Sequence, residues 1–178
     1  MKQTKPKQSF QKWLTDPIIR FIIIAGGICV LLLLITSLRS VELFLIQLTS
    51  AIESQLLTWF HIPFETKNLG SQFIFQLLDG SKLRFVIIPD CTGIYPFIIL
   101  LSFIIGYPFS WKHKWIGILT AFIGTALVNF TRLTILIQIG RIAQHAFPLW
   151  HTIIWQSSFF LFLVFFYFGW TRWIERTN

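Results

Sequence analysis

The stretch IIRFIIIAGGICVLLLLITSL, residues Ile18–Leu38, decides the fold. It carries a single charge, Arg20, in 21 residues. A helix needs roughly 20 apolar residues to cross the hydrocarbon core of a bilayer, and this run supplies them. Arg20 sits near its start, where a long side chain can reach the membrane surface. The run is longer than the apolar part of a cleavable signal and lacks a small-x-small cleavage pattern. It reads as a retained transmembrane helix.

The rest of the chain agrees. Of 178 residues, 54% are hydrophobic and 12% charged, with twenty Phe and eight Trp. Mean hydropathy is +0.68. That is the profile of an integral membrane protein with room for one compact bundle. The net charge of +8 is spread as topology information rather than as a nucleic-acid surface. Lys2, Lys5, Lys7, Lys12 and Arg20 lie before or at the start of the first run, Lys112 and Lys114 interrupt the chain midway, and Arg172 and Arg176 end it. Cytoplasmic loops retain such charges, so both termini and the midway turn are expected on the cytoplasmic side. Nucleic acid is not an expected partner; membrane lipids are.

This gives an all-α integral membrane helical bundle of about four transmembrane helices, an outer amphipathic helix and a small external β-hairpin. Residues 1–16 form a basic cytoplasmic tail, and 17–178 one polytopic membrane domain. The expected spans are 18–38, 93–109, 115–139 and 151–170. Within 41–60, Val41, Leu45, Leu48, Ile52, Leu56 and Trp59 recur at helical spacing, while Glu42, Gln47, Ser50, Glu53 and Ser54 fall elsewhere. That pattern predicts an amphipathic helix, interfacial or packed on the bundle. Within 72–88, apolar residues alternate on both sides of Asp79-Gly80, a hairpin signal. Both apolar rows share a face only if paired positions sum to an even number, as in Phe75 with Phe85 and Leu77 with Leu83. The loop must then be odd in length, built around Asp79-Gly80-Ser81. Open sheet edges are not tolerated facing lipid, so the hairpin is expected outside the hydrocarbon.

Three residues could carry chemistry at the outer membrane face. Cys91, in Pro89-Asp90-Cys91-Thr92-Gly93, stands where the hairpin gives way to a helix. A helix N-terminus favours a thiolate through its dipole and free N–H groups, and a nearby cation favours it further. Arg132 falls in the outer part of the third span, on one helix face with Asn129 and Thr125. An ionisable residue there is either functional or a snorkelling side chain. His151 opens the fourth span beside Trp150 and is either a proton carrier or an interfacial histidine. Asp90 reads as an exposed turn residue. Cys29 reads as a small apolar residue at a different depth from Cys91, which argues against a disulfide between them. A thiol nucleophile, a histidine acid–base and a fixed positive charge together fit acyl transfer through a thioester. No tight Cys/His cluster suggests a metal and no glycine-rich phosphate loop suggests a nucleotide; no cofactor is expected.

Cys91-Thr92-Gly93, Asn129-x-x-Arg132 and His151 at the head of a late membrane helix, in that order, resemble the exosortase/archaeosortase family over about Ile74 to Phe160. The resemblance implies a membrane cysteine transpeptidase or protease. It implies Cys91 as nucleophile, Arg132 as essential arginine and His151 as third member, with Thr92, Gly93 and Asn129 supporting them. Its substrates would be secreted proteins ending in a sorting tail: a short motif, a transmembrane helix and a basic cluster. The new carboxyl end would pass to a glycan or lipid acceptor, or to water. The membrane would be the bacterial or archaeal cytoplasmic (inner) membrane, with the active site on its outer face. Two departures stand out: Thr92 replaces the family's common Ser, and the chain has fewer spans than larger members. The alternative is a non-catalytic membrane subunit of a transport or assembly complex, with Cys91 incidental. Arg141, a second basic residue near the outer face, could share the role given to Arg132.

Overall fold

The computed structural model describes residues 16–69, 72–81 and 83–177, without the side chains of Trp155 and Gln156. Apart from Asp16, the expected basic tail lies outside these residues. Five helices and a small sheet follow one another: α1 (Pro17–Thr36), α2 (Arg39–Trp59), β1 (Phe64–Asn68), β2 (Phe73–Leu77), β3 (Arg84–Ile87), α3 (Ile94–Gly106), α4 (Trp111–Ile142) and α5 (Phe147–Thr177).

Helix α1 starts where local chemistry dictates. Pro17 occupies the first turn, and the Asp16 carboxylate accepts a hydrogen bond from Ile18 N at 2.9 Å, satisfying one of the free N–H groups of the first turn. Ala25 is its only buried residue. There α1 meets α3 so closely that a Cβ on Gly106 would lie 3.0 Å from that of Ala25. Small residues at a helix crossing let two membrane helices approach. The rest of α1 turns Ile22, Val30, Leu31 and Leu34 outward, as a lipid-facing helix does.

The bundle alternates in direction. Phe21 of α1 stacks on Phe103 near the far end of α3. The start of α3 meets Asn129 of α4, and Lys114 of α4 donates to the Ile105 carbonyl at the end of α3, at 2.6 Å. Gly124 and Gly117 of α4 receive Phe162 and Trp170 of α5 respectively. Each helix is therefore antiparallel to the next in the order α1, α3, α4, α5.

Among the described residues, three helices are long and apolar enough to cross a membrane: α1, α4 and the last, with α4 spanning 32 residues. The expected second span is shorter. Helix α3 has 13 residues, about 20 Å at 1.5 Å per residue, against about 30 Å for the hydrocarbon core. Its limits are set by backbone chemistry. Gly93 stands at φ 74° before it, and Tyr107 is extended (ψ 141°) after it, as the residue preceding Pro108 tends to be. Helices α4 and α5 run past the limits expected of them, 115–139 and 151–170.

The apolar stripe of α2, expected to be interfacial or packed on the bundle, is divided: Val41, Leu45 and Leu56 are half-buried and the rest exposed. Leu48, Ile52 and Trp59 are exposed, whereas Ile46, Thr49, Ser50, Glu53 and Leu57 are buried. In a lipid setting outward apolar groups cost little.

The sheet is antiparallel, in the order β1-β2-β3. Phe75 pairs with Phe85 as the alternation predicts, and their rings stack at 4.9 Å. Leu77 N donates to the Leu83 carbonyl at 3.0 Å, closing an odd loop over 78–82 around Asp79-Gly80-Ser81. The expected hairpin gains a third strand, β1. Its residues FETKN are mostly exposed, so it shows none of the half-buried alternation that marks a strand in sequence. Phe75, Leu77, Leu83 and Ile87 form a core with Ile46 and Leu57 of α2 and Ile137 of α4, and Cys91 packs against it.

Candidate active site

Two residues beyond β3, the chain makes one 3-10 turn over Pro89–Cys91. Thr92 closes it: its N and Oγ1 both donate to the Pro89 carbonyl, at 3.0 and 2.7 Å. Gly93 then reverses the chain at positive φ, and a Cβ there would stand 3.0 Å from Asn129 Cγ. Glycine is needed twice over, for the backbone angle and for the approach of α4. Asn129 Nδ2 donates to the Cys91 carbonyl at 2.9 Å. Thr92, Gly93 and Asn129 thus latch the Cys91 turn onto α4.

One helical turn further along α4 lies Arg132. It is 2% exposed, so it does not snorkel. Among the described residues its Nε, Nη1 and Nη2 have no hydrogen-bond partner, and its guanidinium carbon lies 5.0 Å from the centroid of the Phe159 ring on α5. Asn129 Oδ1 and Thr125 Oγ1, on the same face of α4, are also buried without partners. Buried polar groups are normally satisfied. An arginine held dry and unpaired beside such groups is poised for an anionic or carbonyl oxygen from outside the chain.

Cys91 is half-buried and a free thiol. Burial pushes its pKa up; a backbone hydrogen bond at Ile88 and the Arg132 charge pull the other way, and Asp90 adds to the rise. The expected lowering by a helix N-terminus does not prevail. Thr92 and Gly93 separate Cys91 from the first residue of α3, and desolvation of the charged form dominates. Cys91 is therefore protonated at neutral pH.

His151 is exposed in the first turns of α5, with its ring 5.8 Å from that of Phe147. The charge of Arg132 acts on both Cys91 and His151. Asp90 is exposed, in keeping with a turn residue.

Arg141 is engaged elsewhere. It pairs with Asp79 in the β2–β3 loop, and its Nη1 donates to Gln138 Oε1 at 2.8 Å. Of the two arginines near this end of α4, Arg132 is the one whose donors find no hydrogen-bond partner among the described residues.

Two features escape the sequence reading. Ser50 and Glu53 are both fully buried with unpartnered oxygens; their position on one helical face with Ile46 and Leu57 was the available signal. A cavity of about 130 Å³ also opens beside the Cys91 turn, between Thr49 and Ile52 of α2, Thr92-Gly93, and Phe122 and Thr125 of α4. Its walls come from three distant segments, so no local pattern marks it.

No curated protein and no solved structure matches the chain. A family model described as Transmembrane exosortase (Exosortase_EpsH) matches residues 14–170. That span takes in all five helices except the last turns of α5, the sheet, and each of Cys91, Asn129, Arg132 and His151. The chain belongs to the transmembrane exosortase family.

Proposed function

We propose that this protein is a membrane-embedded cysteine transpeptidase that cleaves the C-terminal sorting signals of secreted proteins and transfers them to an acceptor. Family membership supports a membrane sorting transpeptidase in general terms. The observation that carries the residue assignment is Arg132: buried, unpaired, and acting on a thiol whose turn Asn129 holds in place.

The chemistry runs in two halves. The Cys91 thiol gives up its proton, with His151 as acceptor, and the sulfur attacks the scissile carbonyl. Arg132 stabilises the oxyanion that forms. The C–N bond breaks, His151 returns the proton to the leaving amine, and the upstream part of the substrate remains as a thioester. A hydroxyl or amine of a glycan or lipid acceptor then attacks the thioester, and the thiol is regenerated. Water in place of the acceptor would make the enzyme a protease.

The cavity beside Thr92-Gly93 opens among the exposed apolar residues Leu48, Ile52 and Phe122. A substrate segment in the bilayer would thus reach the thiol sideways, by diffusion confined to the membrane plane. In this reading α3 completes a fourth crossing, both termini and the Lys112–Lys114 turn are cytoplasmic, and Cys91 works at the outer face of the bacterial or archaeal cytoplasmic membrane.

The test is processing of co-expressed tail-bearing substrates from the same genome, at matched enzyme abundance. Cys91→Ala should abolish cleavage. Arg132→Ala and His151→Ala should reduce it at least about a hundredfold, and Cys29→Ser should leave it unchanged. The mass of the new C-terminus separates transfer from hydrolysis. Cleavage that persists in Cys91→Ala would eliminate the thiol mechanism and leave a non-catalytic subunit.

A further inference from the structure

The Cys91 turn and His151 reach the site on separate elements. Cys91 follows β3 by four residues, and His151 lies in α5, beyond the corner that ends α4. Nothing in the local sequence fixes the spacing of these two elements. A set of contacts between the β2–β3 loop and that corner does so.

Asp79 organises the loop. Its Oδ1 accepts from Ser81 N at 3.1 Å and from Ser81 Oγ at 2.6 Å, while Oδ2 accepts from Arg141 Nε. Arg141 is in turn braced by Gln138. Two residues past α4's end the same corner reaches back, with Gln144 Nε2 donating to the Ser81 carbonyl. Beneath these polar contacts, Leu83 sits on Gly140, where a Cβ would come within 2.8 Å of it. Phe147 crowds the same glycine, and its ring contacts that of His151. A chain of contacts therefore runs from Leu83, at the head of the strand that leads to Cys91, through Gly140 and Phe147 to His151.

We propose that Asp79 and Arg141 are positioning residues of the thiol site, clamping the β2–β3 loop to the α4–α5 corner so that His151 faces Cys91. The proposal rests on the reading of Cys91 and His151 as partners. It assigns Arg141 a role separate from that of Arg132: Arg141 meets a carboxylate of its own chain, and Arg132 has its donors free. The pair is well suited to a fixed distance. The Asp79 carboxylate has three donors, and these hydrogen bonds, led by Ser81 and aided by Arg141, hold its pKa down at about 2 against partial burial. It stays charged at any working pH.

The test needs no substrate. In a Cys29→Ser background, His151→Cys leaves two thiols that a short bismaleimide can join in native membranes, read as a mass increment on the tryptic peptide pair. Asp79→Asn and Arg141→Gln should each lower the crosslinked yield at least threefold. The exchanged pair Asp79→Arg with Arg141→Asp should restore it to within twofold. A second pair, Ala25→Cys with Gly106→Cys in a Cys29→Ser, Cys91→Ser background, reports on the α1–α3 crossing far from the loop and should be unaffected by any of these changes. Unchanged Cys91–His151 crosslinking in Asp79→Asn would overturn the proposal, as would equal loss at the α1–α3 pair, which would mean general misfolding. With both native residues in place, Asp79→Asn should also slow substrate processing and the exchange should rescue it. If crosslinking responds as expected while Cys91→Ala still processes substrate, the clamp stands and the thiol mechanism falls.

Discussion

Gly93 shows how tightly the site is specified by single residues. Its φ of 74° lies where side chains are strained, and the space a Cβ would enter is filled by Asn129. Asn129 cannot retreat without giving up its bond to the Cys91 carbonyl. Gly93→Ala should therefore cost about 1–3 kcal/mol and reduce processing by more than the stability loss explains. Melting in detergent and cleavage at matched abundance check the two halves. Melting of Gly93→Ala at the wild-type temperature would show that neither constraint is real. The same scale separates the arginines. Arg132 and Arg141 are nine residues apart and equally basic in sequence; a carboxylate meets one and none meets the other.

At the scale of an element, α2 is the informative case, because it buries Thr49, Ser50 and Glu53. Glu53 has both carboxylate oxygens buried without partners, and burial raises its pKa from 4.5 to about 7. A carboxyl whose pKa is higher folded than unfolded binds its proton more tightly in the native state. The stability it lends α2 docking is fully present below about pH 4.5 and is lost as pH rises through about 7. The shift amounts to roughly 3 kcal/mol at 1.36 kcal/mol per unit. Wild type should therefore melt lower at pH 8 than at pH 5. Glu53→Gln, which cannot ionise, should lose most of that difference. Equal pH dependence in the two proteins would place the titrating group elsewhere.

Across the whole molecule, the antiparallel order α1, α3, α4, α5 carries the topology. Helices α1 and α4 are both long enough to span, and they run the same way; the chain must return between them. Helix α3 is the element that returns, and at about 20 Å it makes the bundle thin beside the Cys91 turn. Measured along α4, Arg132 lies about 30 Å from Trp111 at 1.5 Å per residue, one hydrocarbon thickness from the basic turn. Single-cysteine labelling tests the crossing in a Cys29→Ser, Cys91→Ser background. Asp90→Cys should react with an impermeant maleimide from outside, and Ser110→Cys only after permeabilisation. Reaction of both from one side would make α3 a re-entrant segment and remove the fourth crossing.

The membrane class, the apolar runs, the pairing of Phe75 with Phe85 and the helix face shared by Thr125, Asn129 and Arg132 were all legible in the sequence. Each follows from a local period, 3.6 or 2 residues, or from a count of apolar residues, and such patterns are written along the chain. The direction in which α2 points, the third strand, the partner of Arg141 and the raised pKa of Cys91 were not legible. Each depends on what covers a residue from a distant segment. Periodicity says which residues share a face, but only packing says whether that face meets lipid, water or protein. The FETKN strand carries no period of its own because its place is given by β2. The thiol's pKa is a sum over desolvation and charges gathered from separate elements, and that sum exists only once the chain has folded.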